Sequence, residues 1–201
     1  FRRVLFRSEI GIDYYSYLDK KKINVRDKAS GYAMDVDIKS KKYAPEAIEM
    51  IIEEFAKNGH HTPQMHKPIN ILKKDNEVTL RTTEVNKILH RNGIQPENSP
   101  SYEHKYNGLI ESDTKTTAAT TIASLECAPH LPRSTWNYIY SLAHITNNMR
   151  PTLRPEFKKM RTRYEDFHHS RQNMWTKPLL PAGQDRKSTR LNSSHTVISY
   201  A

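Results

Sequence analysis

A single cysteine, Cys127, excludes an intramolecular disulfide and any multi-cysteine zinc module within these 201 residues. No stretch reaches the roughly 20 apolar residues that a bilayer-spanning helix needs, and the N-terminus lacks the apolar run of a signal peptide. These absences predict a soluble, intracellular chain in a reducing compartment, with no membrane partner. No internal repeat or long low-complexity tract is present. What remains is room for one ordinary domain and a short extension. Apolar residues make up 36% and charged residues 27%, polar for a globular protein but with enough Ile, Leu, Tyr and Met to bury one core.

The net charge of +10 and a pI near 9.6 point to a polyanionic partner, since clustered Lys and Arg gain free energy by displacing counterions from nucleic acid. Part of that charge sits at the ends. Residues 1–8 hold Arg2, Arg3 and Arg7, and residues 185–201 hold Arg186, Lys187 and Arg190 against Asp185, leaving +5 for the interior. Both ends, FRRVLFRS and DRKSTRLNSSHTVISYA, lack periodicity and resemble translated sequencing-adapter or vector sequence. The expectation is a non-native leader at 1–8 and a non-native tail at 185–201; an authentic basic arm and tail is the alternative.

Three short runs open the informative part: EIGIDYYSYL at 9–18, KKKINVRD at 20–27 and GYAMDVDI at 31–38, the last entered through Ser30 and Gly31. Their β-branched, aromatic and alternating character predicts three consecutive strands in an antiparallel meander. In APEAIEMIIEEFAKNG at 44–59, Ala47, Ile48, Ile51, Ile52 and Phe55 fall on one helical stripe, with Pro45 in the first turn and Gly59 as a stop. INILKKD at 69–75 reads as a strand ending in an acid. Thr82 to His90 reads as a helix with Val85, Ile88 and Leu89 inward and Gly93 beyond its end. GIQPENSP contains a short strand. Residues 107–127 read as a helix with Ile110, Ala118, Ile122 and Leu125 at helical intervals, despite many threonines. A second helix at 133–149 packs Trp136, Ile139, Tyr140, Ala143 and Ile145, and Pro151 and Pro155 are expected to end the regular part.

The order strand, strand, strand, helix, strand, helix, strand, helix, helix is that of the RNase H-like fold, an α/β architecture. The expected form is a mixed five-stranded sheet, three antiparallel strands first, with helices on both faces. Acids fall on the first strand (Asp13), at the end of the fourth (Asp75) and on the helix after the fifth (Glu111). Carboxylates from separate elements that converge at one sheet edge suit hard divalent cations.

Asp75 and Glu111 are separated by 35 residues, and the words around them repeat a known pattern. The spacing resembles the D…D-x35-E signature of retroviral and retrotransposon integrases. DKASGY at 27–32, LKKDNE at 72–77, RNGI at 91–94 and SPSYEHKYNGLIES at 99–112 resemble segments of that family in the right order. LPRSTWNYIYSLAHITNNMRP at 131–151 and PLLPAG at 178–183 are similar to copia-type words. The resemblance covers about residues 9–183 and divides the chain into a catalytic core at 9–150 and an extended post-core segment at 151–184.

The resemblance implies a metal-dependent polynucleotidyl transferase of a copia-type LTR retrotransposon, processing DNA 3′ ends and joining them to target DNA. It implies Asp13, Asp75 and Glu111 as catalytic carboxylates holding two Mg2+ or Mn2+ ions. It also implies a homo-oligomer on element DNA ends and target DNA, a larger polyprotein, and a nuclear location after a cytoplasmic particle stage. Lys115, one turn after Glu111, is a candidate phosphate contact or simply its ion-pair partner. Asn107 and Gly108, grouped with Lys115 as DNA-binding candidates, are expected to shape the flexible entry to the Glu111 helix, Gly108 by permitting close backbone approach and Asn107 by a side-chain hydrogen bond. Asn76 is a candidate support for Asp75.

Departures from the family pattern are Glu77 in place of glycine, Ser112 in place of arginine, and a second strand more polar than a buried strand should be. They leave open a catalytically dead or domesticated nucleic-acid-binding domain, and a general nuclease on the same scaffold. Asp19 and Asp27 compete with Asp13 as the first acid, Asp19 reading better as turn solvation. His60, His61 and His66, like His168 and His169, read as polar segments rather than zinc ligands. Tyr14, Tyr15 and Tyr17 read as partly core, and Cys127 as a packed helix residue.

Overall fold

In the computed structural model, which describes residues 9–17, 19–58, 69–74, 78–98, 108–154 and 159–168, the first three strands form the expected meander. Strands β1 (Glu9–Tyr17), β2 (Lys20–Asp27) and β3 (Ala33–Ile38) pair antiparallel, with Asp13 opposite Asn24 and Asn24 opposite Asp35. The β2–β3 turn is tied by Asp27, whose Oδ2 accepts from the Ser30 amide at 2.7 Å and the Ser30 hydroxyl at 2.6 Å. Gly31 closes it at φ 72°, a conformation that costs L-residues a steric penalty. Asp27 is thereby committed to a turn.

Helix α1 (Ala44–Asn58) crosses to β4 (Ile71–Lys74), which lies parallel to β1, and α2 (Thr83–Arg91) crosses to β5 (Gln95–Asn98), parallel to β4. The sheet order is β3-β2-β1-β4-β5. Thr82 caps α2 by accepting from the Val85 amide, and Gly93 follows the helix at φ 64°. Pro96 is tolerated in β5 because that strand is an edge. Helices α3 (Gly108–Cys127) and α4 (Trp136–Met149) pack on each other and on the opposite face of the sheet.

The two faces of the sheet differ in chemistry. Ile10, Ile12, Ile23, Val25, Val36 and Ile38 point toward α1 and α2 and join Ile48, Ile51, Phe55, Val85 and Leu89 in one apolar core. Each fully buried aliphatic side chain there contributes about 1.5–3 kcal/mol. The alternate positions, Gly11, Asp13, Tyr15, Lys22, Asn24, Arg26 and Asp35, face α3 and α4. This explains the polarity of β2. Lys22 is 0% exposed yet reaches Asp35 and Asp37, each at 2.6 Å, and Arg26 reaches Asp113 of α3 at 2.9 Å. Asn148 of α4 binds both backbone groups of Ala33, accepting from its N–H at 3.0 Å and donating to its carbonyl at 2.6 Å.

The helical faces on this side depart from the apolar stripes expected from the sequence. In α3 the buried residues are Ile110, Asp113, Thr114, Thr117 and Thr121, while Ile122 is 42% exposed and Cys127, read above as packed, is exposed. Threonine tolerates burial here because a helical hydroxyl can return its hydrogen bond to its own backbone, as Thr121 does to the Thr117 carbonyl at 2.8 Å. In α4, Trp136, Ile139, Tyr140 and Ala143 are buried as expected, but Ile145 faces outward. Tyr14 joins the apolar core, whereas Tyr15 and Tyr17 stack on Trp136 and Tyr15 also stacks on Tyr140.

Regular structure also continues past Pro151. A two-stranded hairpin, β6 (Thr152–Arg154) and β7 (Lys159–Arg161), leads into α5 (Arg163–His168). Thr162 and Glu165 form a reciprocal capping box at 3.0 Å each way, and Phe167 stacks on Tyr32 and meets Phe55 edge-on. Prolines end helices without forbidding a hairpin, so their positions were a poor guide here. His168 packs against Tyr164, Tyr32 and Phe167. Among the described residues no helix is long and apolar enough to cross a membrane.

Two stability predictions follow from the polar face. Lys22→Ala leaves Asp35 buried without its cation and should cost about 3–5 kcal/mol in urea denaturation. His144, 2% exposed on α4, has its pKa pushed below 6.5 by burial, with Asp35 and Asp113 opposing and Lys22 and Arg163 reinforcing the shift. The unfolded chain therefore takes up this proton first, so the contribution is full above pH 6.5 and declines as pH falls through 6.5 toward the folded value. His144→Leu should flatten the pH dependence of unfolding free energy in that window, and an unchanged slope would exclude His144 as its source.

Candidate active site

Asp13 sits in the middle of β1, half-buried, on the face covered by α3. Its position relative to the helix is set by three contacts. Gly11 lies two residues earlier on the same face, beneath Ile110 of α3, where an added Cβ would make ordinary contact at 3.6 Å. The Thr114 hydroxyl donates to Asp13 Oδ2 at 3.3 Å and accepts from Asn24 Nδ2 at 3.0 Å. Asn24 Nδ2 also donates to the Tyr140 hydroxyl at 2.8 Å. Ile110 over Gly11 and Thr114 over Asp13 make one helical turn match two strand residues, so α3 runs along β1 in fixed register.

Glu111 occupies the first turn of α3, half-buried, directly after Ile110 and three residues before Thr114. The Glu111 carboxylate makes no hydrogen bond or ion pair with another described residue. Asp13 and Glu111 thus belong to a strand and a helix that pack on each other, joined through Thr114. Lys115, exposed one turn further on, does not pair with Glu111. That discounts the simple ion-pair reading and leaves an ammonium on the helix that carries Glu111. Gly108 opens α3, and a Cβ there would meet nothing described within 4 Å.

Asp75, Asn76 and Asn107 lie outside the described residues, as do His60, His61, His66 and His169. The neighbouring strand is described. β4 runs parallel to β1 in a register that pairs Ile12 with Lys74, so its described end is level with the residue before Asp13. Lys74 is 1% exposed, and its ammonium donates to the Leu80 carbonyl at 2.8 Å and Asn86 Oδ1 at 2.9 Å on the α2 side. Burial, and secondarily Arg81, lower its pKa.

Among the described residues no three His, Cys, Asp or Glu side chains are close enough to hold a metal ion. Asp13 and Glu111 are hard oxygen donors on packed elements, and the Glu111 carboxylate is uncommitted among the described residues, a donor chemistry that fits Mg2+ or Mn2+ and not a softer ion. Sequence reasoning missed Asn24, Thr114 and Tyr140, the layer that supports Asp13. The helical spacing of Thr114, Thr117 and Thr121 was the available signal for the buried face of α3. Burial raises the Tyr140 pKa, with the Asn24 hydrogen bond opposing, which keeps the phenol neutral.

Thr114→Val removes the link between Asp13 and Asn24 with little change of volume and should cost about 1–3 kcal/mol. Gly11→Ala, which meets Ile110 only at ordinary contact distance, should stay within about 1 kcal/mol of wild type. Chemical denaturation of both variants checks the docking of α3 on β1.

No protein-family model and no curated protein sequence matches the chain. Solved structures do. The HTLV-2 integrase catalytic core domain, in a structure with magnesium, matches with TM-score 0.58 at 18% identity, covering 83% of this chain and all of that one. The simian T-cell lymphotropic virus intasome with PP2A regulatory subunit B56 gamma gives 0.63 at 19%, covering 86% of this chain and 58% of that one. The catalytic core domain of BIV integrase gives 0.60 at 14%, covering 80% and 93%. The mixed five-stranded sheet with helices on both faces is therefore an RNase H-like fold of the kind seen in retroviral integrase cores.

Proposed function

We infer that the chain is the catalytic core of an integrase, of the copia type of LTR retrotransposon, that trims and joins DNA ends in a metal-dependent reaction. What supports this reading is the docking of α3, the helix that carries Glu111, on β1 through the Thr114–Asp13 hydrogen bond, in a fold of the kind seen in integrase cores. Asp75 follows Lys74 at the end of β4 in the sequence, and it is the third acid of the reading.

Asp13, Asp75 and Glu111 would hold two Mg2+ or Mn2+ ions, which when bound polarise phosphoryl oxygens and lower the pKa of an attacking hydroxyl. Thr114 orients the Asp13 carboxylate, Asn24 holds Thr114, and Tyr140 holds Asn24. Lys115 offers its ammonium to a DNA phosphate on the Glu111 helix, with Asn107 and Gly108 at the helix start. The partners of this reading are element DNA ends and target DNA, bound by an oligomer of the chain in the nucleus after a cytoplasmic particle stage. The dimeric and trimeric HTLV-2 forms and the simian intasome support an assembly of that kind.

The test is strand transfer on labelled duplex ends with Mg2+ or Mn2+. Asp13→Asn, Asp75→Asn and Glu111→Gln should each lower joining by at least about 100-fold. Cleavage without joining would identify a nuclease. DNA binding that neither metal nor these variants affect, with no product, would identify a non-catalytic module.

A further inference from the structure

Asp113 of α3, two residues after Glu111, is 3% exposed. Its Oδ1 accepts from Arg26 Nη1 of β2 at 2.9 Å and from Arg163 Nη1 of α5 at 2.7 Å, while Oδ2 is buried with no hydrogen-bond partner among the described residues. A buried carboxylate needs compensation, and among the described residues it comes through one oxygen shared by two guanidinium groups. The same Arg26 nitrogen donates to the Leu109 carbonyl at 3.2 Å, one turn earlier on that side of the helix. Both guanidinium groups lie against Gly31 in the β2–β3 turn, where an added Cβ would meet Arg26 Nη2 at 3.4 Å and Arg163 Nε at 3.6 Å.

Helix α5 does not depend on this pair for its own seat. Its capping box and the packing of Phe167 on Tyr32 and Phe55 hold it independently. At about 100° per residue, Asp113 falls about 60° to one side of Ile110 and Thr114 about 40° to the other. The buried face of α3 is thus gripped on both flanks, Thr114 by Asp13 and Asn24, Asp113 by Arg26 and Arg163. A grip on one flank leaves a helix able to roll about it, whereas two grips block the roll in both directions. Glu111 falls about 60° beyond Thr114, so the roll of α3 sets where its carboxylate lies. At a radius of about 5–6 Å, a roll of about 10° carries a side-chain tip by about 1 Å. Catalytic groups must be held within about 0.5 Å.

We propose that Arg163 of α5 is a positioning residue for Glu111, acting through Asp113 to close the second flank of α3 and fix the roll of its first turn. Residues beyond Pro151 then complete the geometry of a site whose acids all precede it, and α5 belongs to the catalytic unit. The inference rests on the catalytic reading for the role of Glu111, but the seating of the turn is measurable without metal or DNA.

The first measurement is amide hydrogen exchange, followed by NMR, on the full chain without metal or DNA. The amides of residues 112–115 bond to the carbonyls of 108–111 and report on the first turn of α3. Arg163→Gln, at a side chain 22% exposed that can reach water when unpaired, should speed their exchange about tenfold and leave residues 120–127 unchanged. Asp113→Asn should do the same, and the double variant should add nothing to Asp113→Asn alone. The second measurement is single-turnover joining of duplex ends with Mn2+. There Arg163→Gln should lower the rate about 10- to 100-fold with the half-saturating duplex concentration unchanged. Unchanged exchange at 112–115, a uniform rise along α3, or additive effects in the double variant would overturn the proposal, as would wild-type joining by Arg163→Gln. A wild-type chain that joins nothing, with the exchange pattern as expected, would instead sink the catalytic reading and leave the seating by Arg163 standing.

Discussion

Everything around the candidate site depends on a chain of hydrogen bonds across the polar face of the sheet, from Tyr140 on α4 through Asn24 on β2 and Thr114 on α3 to Asp13 on β1. Four elements contribute one side chain each, and all but Asp13 are buried. Such groups lose water on folding, so each needs its partner. The arrangement therefore specifies the positions of α3 and α4 more narrowly than apolar contact alone would. The ion pairs of Lys22 with Asp35 and of Arg26 with Asp113 flank this chain and work in the same sense.

The sheet divides labour between its faces. The α1 and α2 side carries the unspecific part of stability, a close-packed group of Ile, Val, Leu and Phe side chains. The α3 and α4 side carries position, with aromatic stacking of Tyr15, Tyr17, Trp136 and Tyr140 beside the polar network. A site made of carboxylates belongs on the second side, where neighbouring donors are already fixed and their geometry is determined before any ligand arrives.

The apolar side was legible in the sequence because its signals are periodic: alternation in AMDVDI, and the Ala47, Ile48, Ile51, Ile52, Phe55 stripe of α1. The order of elements along the chain and the turn glycines Gly31 and Gly93 followed from local chemistry. The polar side was not legible in the same way. Lys22, Asn24 and Arg26 look like solvent-facing residues until the complementary groups on α3 and α4 are known, and those lie about 90 to 120 residues away in the chain. Hydropathy also favoured Ala118, Ile122 and Leu125 over the threonines of α3, since it scores a hydroxyl without knowing that the helix backbone can accept its hydrogen. Asp13 and Glu111 are singled out by family resemblance, which says nothing of Thr114, the residue that joins Asp13 to the helix.

The threonine-lined underside of α3 has a mechanical consequence. Two greasy surfaces can slip past one another by a fraction of a turn at small cost, because any apolar atom substitutes for another. A surface keyed by Asn24 and Thr114 has one seating, and a slip breaks directional bonds. The helix thus behaves as a ratchet tooth lodged in its notch, holding the carboxylate at its first turn at a constant height above the strand while the outer surface of the helix is free to vary.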